Sequence, residues 1–262
     1  MLLATWNVNS IRARADRVVG WLERADVDVL AMQETKCRDD QFPYLAFEAA
    51  GYEVAHVGRN QWNGVAIASR IGIDEVELGF AGQPTWGDPP VQEARALGAA
   101  CGGVRLWSLY VPNGRDLADP HYVYKLEWLA ALREAAGAWL EATPGAPIVL
   151  AGDWNIAPRD EDVWDMAAFE GATHVSSAER AAFAAFAEAG FADPVRERVP
   201  GMYTYWDYKQ LRFPRNEGMR IDFALTSPAV TERVVGARIE RNERKGKGPS
   251  DHVPVVLEIA DV

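Results

Sequence analysis

The sequence predicts an α/β fold in which two β-sheets pack together with helices outside, within one domain spanning residues 1–262. Three observations lead there. About a dozen short strand-length runs are spread along the chain, and only a few segments carry helical spacing. Several of those runs are apolar at consecutive positions, as strands buried on both faces are. At 262 residues the chain is long enough for a full core, and no repeat, low-complexity tract or clear linker divides it.

Residues 2–8 form an apolar strand that ends in the polar turn Asn7-Val8-Asn9-Ser10, where Asn9 or Ser10 supplies a helix cap. In 12–25 the apolar residues Val18, Val19, Trp21 and Leu22 recur at helical spacing. A buried strand at 27–32 runs into Gln33-Glu34-Thr35-Lys36. Strands follow at 52–57, 64–69 and 71–78, then a Gly/Pro/Trp-rich loop at 82–90. Strands resume at 93–100 and 104–111, the second ending in Pro112-Asn113-Gly114-Arg115. The longest helical pattern, 121–141, closes at Thr143-Pro144-Gly145. The short strand 148–151 leads to Gly152-Asp153-Trp154-Asn155. Ser176 and Glu179 form a capping box before a helix at 181–189. An aromatic strand at 203–208, a basic loop at 209–220 and strands at 221–225, 234–240 and 253–259 complete the chain.

Hydrophobic residues make up 48% of the chain and charged residues 25%, the balance of a soluble globular protein. No run approaches the roughly 18–20 apolar residues of a membrane span, and no basic segment followed by an apolar core marks a secretory signal. Cys37 and Cys101 stand in unrelated contexts, which suits reduced thiols in the cytoplasm rather than a disulfide framework or zinc site. The net charge of −11 argues against a polyanionic partner, but residues 209–247 hold 10 Lys and Arg against 5 Asp and Glu. That segment reads either as a local footprint for phosphates or as a solvated basic surface.

Strand ends repeatedly deliver polar residues: Asn7, Glu34, Tyr110 with Asn113, Asp153 with Asn155, Asp222, and Asp251 with His252. Singly, each has an ordinary reading as a turn, cap or core residue. Six such clusters at sheet ends are harder to dismiss, because open α/β sheets place ligands there. Carboxylates and amides with few histidines are hard oxygen ligands that suit Mg2+ or Mn2+. A histidine oriented by an aspartate, beside a metal carboxylate, donates to a phosphoryl oxygen, and a further Asp–Asn pair holds a water in line with phosphorus. The set describes phosphate-ester hydrolysis.

The chain resembles the exonuclease III class of apurinic/apyrimidinic endonucleases, within the endonuclease/exonuclease/phosphatase superfamily. The resemblance rests on Thr5-Trp6-Asn7-Val8-Asn9-Ser10, Gln33-Glu34-Thr35-Lys36, Asn63-Gly64-Val65-Ala66-Ile67 and Tyr110-Val111-Pro112-Asn113-Gly114. It continues through Gly152-Asp153-Trp154-Asn155-Ile156-Ala157-Pro158, Tyr203-Thr204-Tyr205-Trp206, Arg220-Ile221-Asp222 and Ser250-Asp251-His252-Val253-Pro254. It implies a four-layered α/β sandwich and a Mg2+-dependent DNA repair nuclease in which Mn2+ substitutes. Such an enzyme cleaves 5′ to abasic sites and trims blocked 3′ ends of duplex DNA as a cytoplasmic monomer, with 3′–5′ exonuclease and 3′-phosphatase activity. The resemblance makes Glu34 the principal metal ligand, with Asn7 and Asp251 nearby and Asp153, Asn155 and His252 also facing the metal. Asp153 and Asn155 act on the attacking water, His252 with Asp222 contacts the phosphate, and Tyr110 and Asn113 are further donors. Tyr205, Met219 and Ile221 take the positions of a pocket for the extruded sugar. Arg115, Lys125, Arg212, Arg215, Lys245 and Lys247 are candidate backbone-phosphate contacts, and Trp206 is read as core.

The alternatives are a superfamily phosphoesterase for inositol phosphates or sphingomyelin, a secreted general DNase, and a catalytically reduced binding module. A secreted DNase has a second histidine where this chain has Tyr110. A binding module has lost one of Glu34, Asp153, Asp222 or His252, and all four are present.

Overall fold

The computed structural model describes residues 1–260, so the last two residues of the expected domain, 261 and 262, lie outside the described part. Eleven strands are β1 (Leu2–Asn7), β2 (Val29–Gln33), β3 (Glu53–Val57), β4 (Val65–Ser69), β5 (Asp74–Leu78), β6 (Ala96–Cys101), β7 (Val104–Tyr110), β8 (Ile148–Asp153), β9 (Asp222–Thr226), β10 (Val234–Ile239) and β11 (Val255–Ile259). Helices are α1 (Ile11–Ala25), α2 (Tyr44–Ala49), α3 (Pro120–Ala142), α4 (Ser177–Glu188), α5 (Pro194–Arg198), α6 (Arg212–Arg215) and α7 (Pro228–Thr231). The strands form a six-stranded sheet, β10-β11-β1-β2-β4-β3, and a five-stranded sheet, β5-β6-β7-β8-β9.

Strand alternation sorts the apolar residues into layers. Leu3, Val29, Ala31, Ile67 and Leu257 of the first sheet pack against Leu97, Leu106, Val149 and Ala224 of the second. Their neighbours along the same strands, Ala4, Trp6, Leu30 and Met32, face outward onto Val18, Trp21 and Leu22 of α1 and Phe47 of α2. On the other side Trp107, Leu109, Leu150 and Phe223 face Trp128 and Leu132 of α3 and Phe186 of α4. Helix, sheet, sheet and helix make the four-layered sandwich. Gln33 crosses its middle, donating to Thr5 Oγ1 at 3.0 Å and Ser108 Oγ at 3.1 Å, so the buried amide is not left unpaired.

The topology gathers the strand ends. β1 and β2 are parallel, as are β7 and β8, and each pair is joined through a helix. β9 is antiparallel to β8, and β11 to β1. The C-terminal ends of the parallel strands and the N-terminal ends of β9 and β11 therefore meet at one edge. In register, Tyr110 lies opposite Asp153, and Asp153 opposite Asp222. The residue before Asp153 must be small: a Cβ on Gly152 would sit 1.9 Å from the Leu109 carbonyl oxygen.

Several local expectations are corrected. Residues 203–208 form no strand; Tyr205 makes only isolated bridges, to Met219 and His252. Their aromatic pattern reflects burial in a loop, with Trp206 fully buried as expected of core. The Ser176–Glu179 capping box is present, but its helix starts at Ser177. Ser10 precedes α1 at φ +83° with no side-chain cap, and the Asn9 side chain turns to the site instead. The short helices α2 and α6 carry too few turns to show a period. No helix among the described residues is long and apolar enough to cross a membrane.

Candidate active site

Both sheets contribute side chains to the shared edge. Asn7, at the end of β1, donates to Glu34 Oε1 at 3.2 Å and to Asp153 Oδ2 at 2.9 Å. Tyr110 Oη donates to the same Glu34 oxygen at 2.6 Å. Asp153 Oδ1 accepts from the Asn155 backbone N–H at 2.9 Å. His252 Nδ1 lies 2.8 Å from Asp222 Oδ2, and its Nε2 lies 3.7 Å from Asp153 Oδ2. Asn113 Nδ2 donates to Asn155 Oδ1 at 3.1 Å. Asp251 joins through Asn9, whose amide donates to Asp251 Oδ1 at 2.9 Å while its oxygen accepts from Lys36 Nζ at 2.6 Å. Asn7, Asp153, Asn155, Asp222 and His252 are all buried. The six expected metal-facing residues and Tyr110, Asn113 and Asp222 thus belong to one connected cluster.

Backbone strain collects at the same place. Asn9, Ser10, Glu34, Lys36, Asn155 and His174 have φ between +42° and +83°, a region non-glycine residues seldom occupy. Such conformations cost of order 1–3 kcal/mol each and persist where the surroundings dictate them. Here they turn the ends of β1, β2 and β8 inward.

Burial and crowded charge set the protonation states. Burial pushes the Asp153 carboxyl up to about 7; the Asp222 and Glu34 carboxylates add to this, and His252 opposes it. Burial would pull His252 down, but the Asp222 and Asp153 carboxylates outweigh it and raise the imidazole to about 10. His252 is therefore an imidazolium at neutral pH. Burial and the Glu34 charge push the Tyr110 phenol well up, so it stays a donor. Burial favours the neutral form of Glu34, but Lys36 and the bonds from Lys36 and Tyr110 hold its carboxyl low.

The pocket and phosphate expectations fare unevenly. A cavity of about 200 Å³ is lined by Tyr205 and Met219, together with Trp164, Phe169, Arg212 and Glu217. The Tyr205 ring centre lies 4.9 Å from that of His252, the two rings tilted by 58°, which places the cavity beside the cluster. Ile221 does not line it; it is buried behind Met219 with Ala157 and Val163. Arg212 is paired with Glu217 and lies over the Trp164 ring at 4.7 Å, so it is a wall rather than a free phosphate contact. Arg115 and Arg215 remain 58% and 61% exposed. Lys245 and Lys247 are exposed too. Lys125 is wholly buried against Glu179 and cannot meet a solvent-borne phosphate. The basic segment 209–247 is likewise spent in part on the fold: Arg220 pairs with Asp193, Arg238 with Glu240, and Arg233 bonds the Ala260 carbonyl.

Asn9, Lys36 and His174 also belong to the cluster, although the sequence marks Asn9 only as a helix cap and gives Lys36 and His174 no site role. Asn9 and Lys36 lie inside the motif runs and carried that signal. His174 Nε2 sits 3.2 Å from Asn155 Oδ1 and 3.3 Å from Asn113 Nδ2, in a loop without periodicity. Burial and the nearby Lys125 charge pull its pKa down to about 3, leaving it neutral.

The profile of the Endonuclease/Exonuclease/phosphatase family matches residues 4–252, nearly the whole described chain. The chain belongs to the endonuclease/exonuclease/phosphatase family. Within this family it is 30% identical to an exodeoxyribonuclease of Bacillus subtilis over 98% of each chain. Its structure resembles that of the 3′ phosphatase NExo from Neisseria bound to a product DNA hairpin, with TM-score 0.93, 35% identity and 99% of each chain covered. It also resembles an AP endonuclease from Archaeoglobus fulgidus, with TM-score 0.90, 33% identity and the same coverage. This family member is an exodeoxyribonuclease III-like nuclease, a hydrolase.

Proposed function

We propose that the protein hydrolyses phosphate esters of duplex DNA, incising 5′ to abasic sites and clearing blocked 3′ ends, with Mg2+ or Mn2+ as cofactor. The observation that carries this reading is the convergence of Glu34, Asp153 and the His252–Asp222 pair, drawn from both sheets, at one buried edge. Because both sheets supply it, the whole chain acts as one unit.

The donor set fits a hard divalent cation. Among the described residues the Glu34, Asp153 and Asp222 carboxylates form ion pairs only with Lys36 and His252, and the buried Asp222 Oδ1 has no hydrogen-bond partner. Asp153, Asp222 and His252, whose polar atoms lie within 4.8 Å of one another, form the acid–base group beside the ion rather than its ligand set. Glu34 with Asn7 and Asp251 would hold the ion, which when bound neutralises charge on the phosphoryl oxygens. Asp153, aimed by the Asn7 amide and the Asn155 N–H, takes the proton of the attacking water. The His252 imidazolium, held by Asp222, donates to a phosphoryl oxygen. Tyr110 and Asn113 supply further donors. With a net charge of −11, the protein binds DNA through the exposed Arg115, Arg215, Lys245 and Lys247.

The test compares rates on three duplexes: one with a tetrahydrofuran abasic analogue, one nicked with a 3′-phosphate, and one intact and blunt. Cleavage with Mg2+ that EDTA abolishes is expected. The likeness to a 3′ phosphatase favours the 3′-phosphate as the fastest substrate. Failure on all three DNAs, together with hydrolysis of an inositol polyphosphate, overturns the reading.

Metal binding carries a pH signature. The folded Asp153 carboxyl titrates at about 7, above its ordinary 3.8. Its contribution to stability is present at low pH and is lost as pH rises through that value. A cation relieves the repulsion only once the carboxyl ionises. Mg2+ is therefore expected to raise Tm more at pH 8 than at pH 5.5, measured by scanning fluorimetry. Equal shifts at the two pH values would sink the proposed role of Asp153 beside the metal.

A further inference from the structure

Lys125 of α3 and Glu179 of α4 are both completely buried, well inside the protein beneath the loops that carry Asn113 and Asn155. A buried ion pair stabilises a fold no better than apolar side chains of similar volume, so what the pair touches matters more than that it exists. The ammonium has three donors, and all three are committed. One goes to Glu179 Oε1, one to the Asn155 carbonyl oxygen at 2.7 Å, and one to the Asn113 carbonyl oxygen at 3.1 Å. These two carbonyls belong to the two asparagines whose side chains meet at the site.

Glu179 spreads the same restraint. Its Oε1 also accepts from Thr173 Oγ1 at 2.6 Å and from the His174 backbone N–H at 2.9 Å, and its Oε2 accepts from Ser176 Oγ at 2.6 Å. Thr173 Oγ1 lies 3.2 Å from the Asn113 carbonyl as well. The loop must come close for this: Gly114 has φ +90°, and a Cβ there would lie 2.8 Å from Thr173 Oγ1 and 3.2 Å from Lys125 Cδ. One buried charge pair thus ties together three loops, those at Asn113, Asn155 and His174, whose side chains are mutually within hydrogen-bond reach.

We propose that Lys125 and Glu179 are positioning residues that set Asn113 and Asn155 for the reaction by clamping their main-chain carbonyls. The proposal rests on the function given above, in which Asn155 aims Asp153 and Asn113 is a donor to the substrate. Displacements of about 1 Å in such groups cost on the order of 10²-fold in rate. The clamp acts through the main chain, so it governs turnover more than substrate affinity.

The test uses the full-length protein with Mg2+ on the nicked 3′-phosphate duplex. The double variant Lys125→Met/Glu179→Gln removes both charges together and keeps an acceptor for Thr173 and His174. Its kcat is expected to fall about 30-fold or more, with KM within about threefold of wild type. Thr173→Val leaves the ion pair and removes one hydroxyl from the Asn113 carbonyl and Glu179; a fall in kcat of about fivefold is expected, again at unchanged KM. In 15N–1H spectra the side-chain amide signals of Asn113 and Asn155 are expected to shift in both variants. A cooperatively folded double variant with wild-type kcat overturns the proposal, because a purely structural pair would lower Tm and leave the turnover of folded molecules intact. If the double variant does not fold, wild-type kcat in Thr173→Val overturns it. If the wild type cleaves none of the three duplexes, the functional reading fails, and unchanged Asn113 and Asn155 amide signals separately overturn the clamp.

Discussion

Asp153→Asn is expected to lower kcat by at least about 10²-fold while leaving the protein folded, the scale on which positioned acid–base groups act. The substitution keeps the side chain's size in a site where Asp153 is 1% exposed. It also keeps an oxygen for the Asn155 N–H. What it removes is the capacity to take a proton, together with the second oxygen that accepts from the Asn7 amide. The raised Asp153 pKa, about 7, lies at neutral pH and so suits a group that accepts a proton and passes it on. The measurement is single-turnover cleavage of the nicked 3′-phosphate duplex, with a circular dichroism melt as the control for folding. A folded variant within tenfold of wild type would remove Asp153 from its role.

His252→Ala is expected to cost at least about 10²-fold as well, by deleting the donor to the phosphoryl oxygen. Asp222→Asn separates charge from shape. Asp222 Oδ2 lies 2.8 Å from His252 Nδ1, and its carboxylate is the strongest influence raising the imidazole against its burial. The amide keeps an acceptor for Nδ1–H but removes that charge, so the imidazole pKa falls from about 10 toward its ordinary 6.5 or below. The imidazolium is then present only at lower pH. Relative to wild type at the same pH, Asp222→Asn is expected to lose little near pH 5.5 and progressively more as pH rises to 8, whereas His252→Ala is weak relative to wild type at both. A pH-independent Asp222→Asn enzyme would contradict an imidazolium at the phosphate.

The layers of this fold were legible because strand and helix periods survive burial. Val18, Trp21 and Leu22 mark α1, and the consecutive apolar residues of β2 and β8 mark strands covered on both faces. The 203–208 stretch misled for the same reason in reverse. Tyr203, Tyr205 and Trp206 are the aromatic residues that strands favour, but each is packed as an individual anchor of a loop, with only isolated bridges from Tyr205 to Met219 and His252. Trp164 and Phe169 had no period to announce them, and their place in the cavity wall depends on how residues 159–175 fold back. Ile221 stands two residues beyond Met219, but it packs with Met219, Ala157 and Val163 in a small buried cluster instead of on the cavity wall.

Residue order is enough to name the chemical groups this protein brings to its strand ends: carboxylates, amides, one Asp–His pair, and the oxygen-rich set that suits a hard cation. Those follow from residue identity and from where apolar runs stop. Which cations can meet a phosphate and which are consumed by the fold emerges only once the chain is packed. Lys125, Arg212 and Arg220 look alike in sequence, as basic side chains near the motifs. Burial makes the first an internal clamp, stacking makes the second a cavity wall, and pairing with Asp193 makes the third part of the fold. The reason is electrostatic. A charge's role depends on its solvation and nearest opposite charge, and neither is set until strands distant in sequence come together.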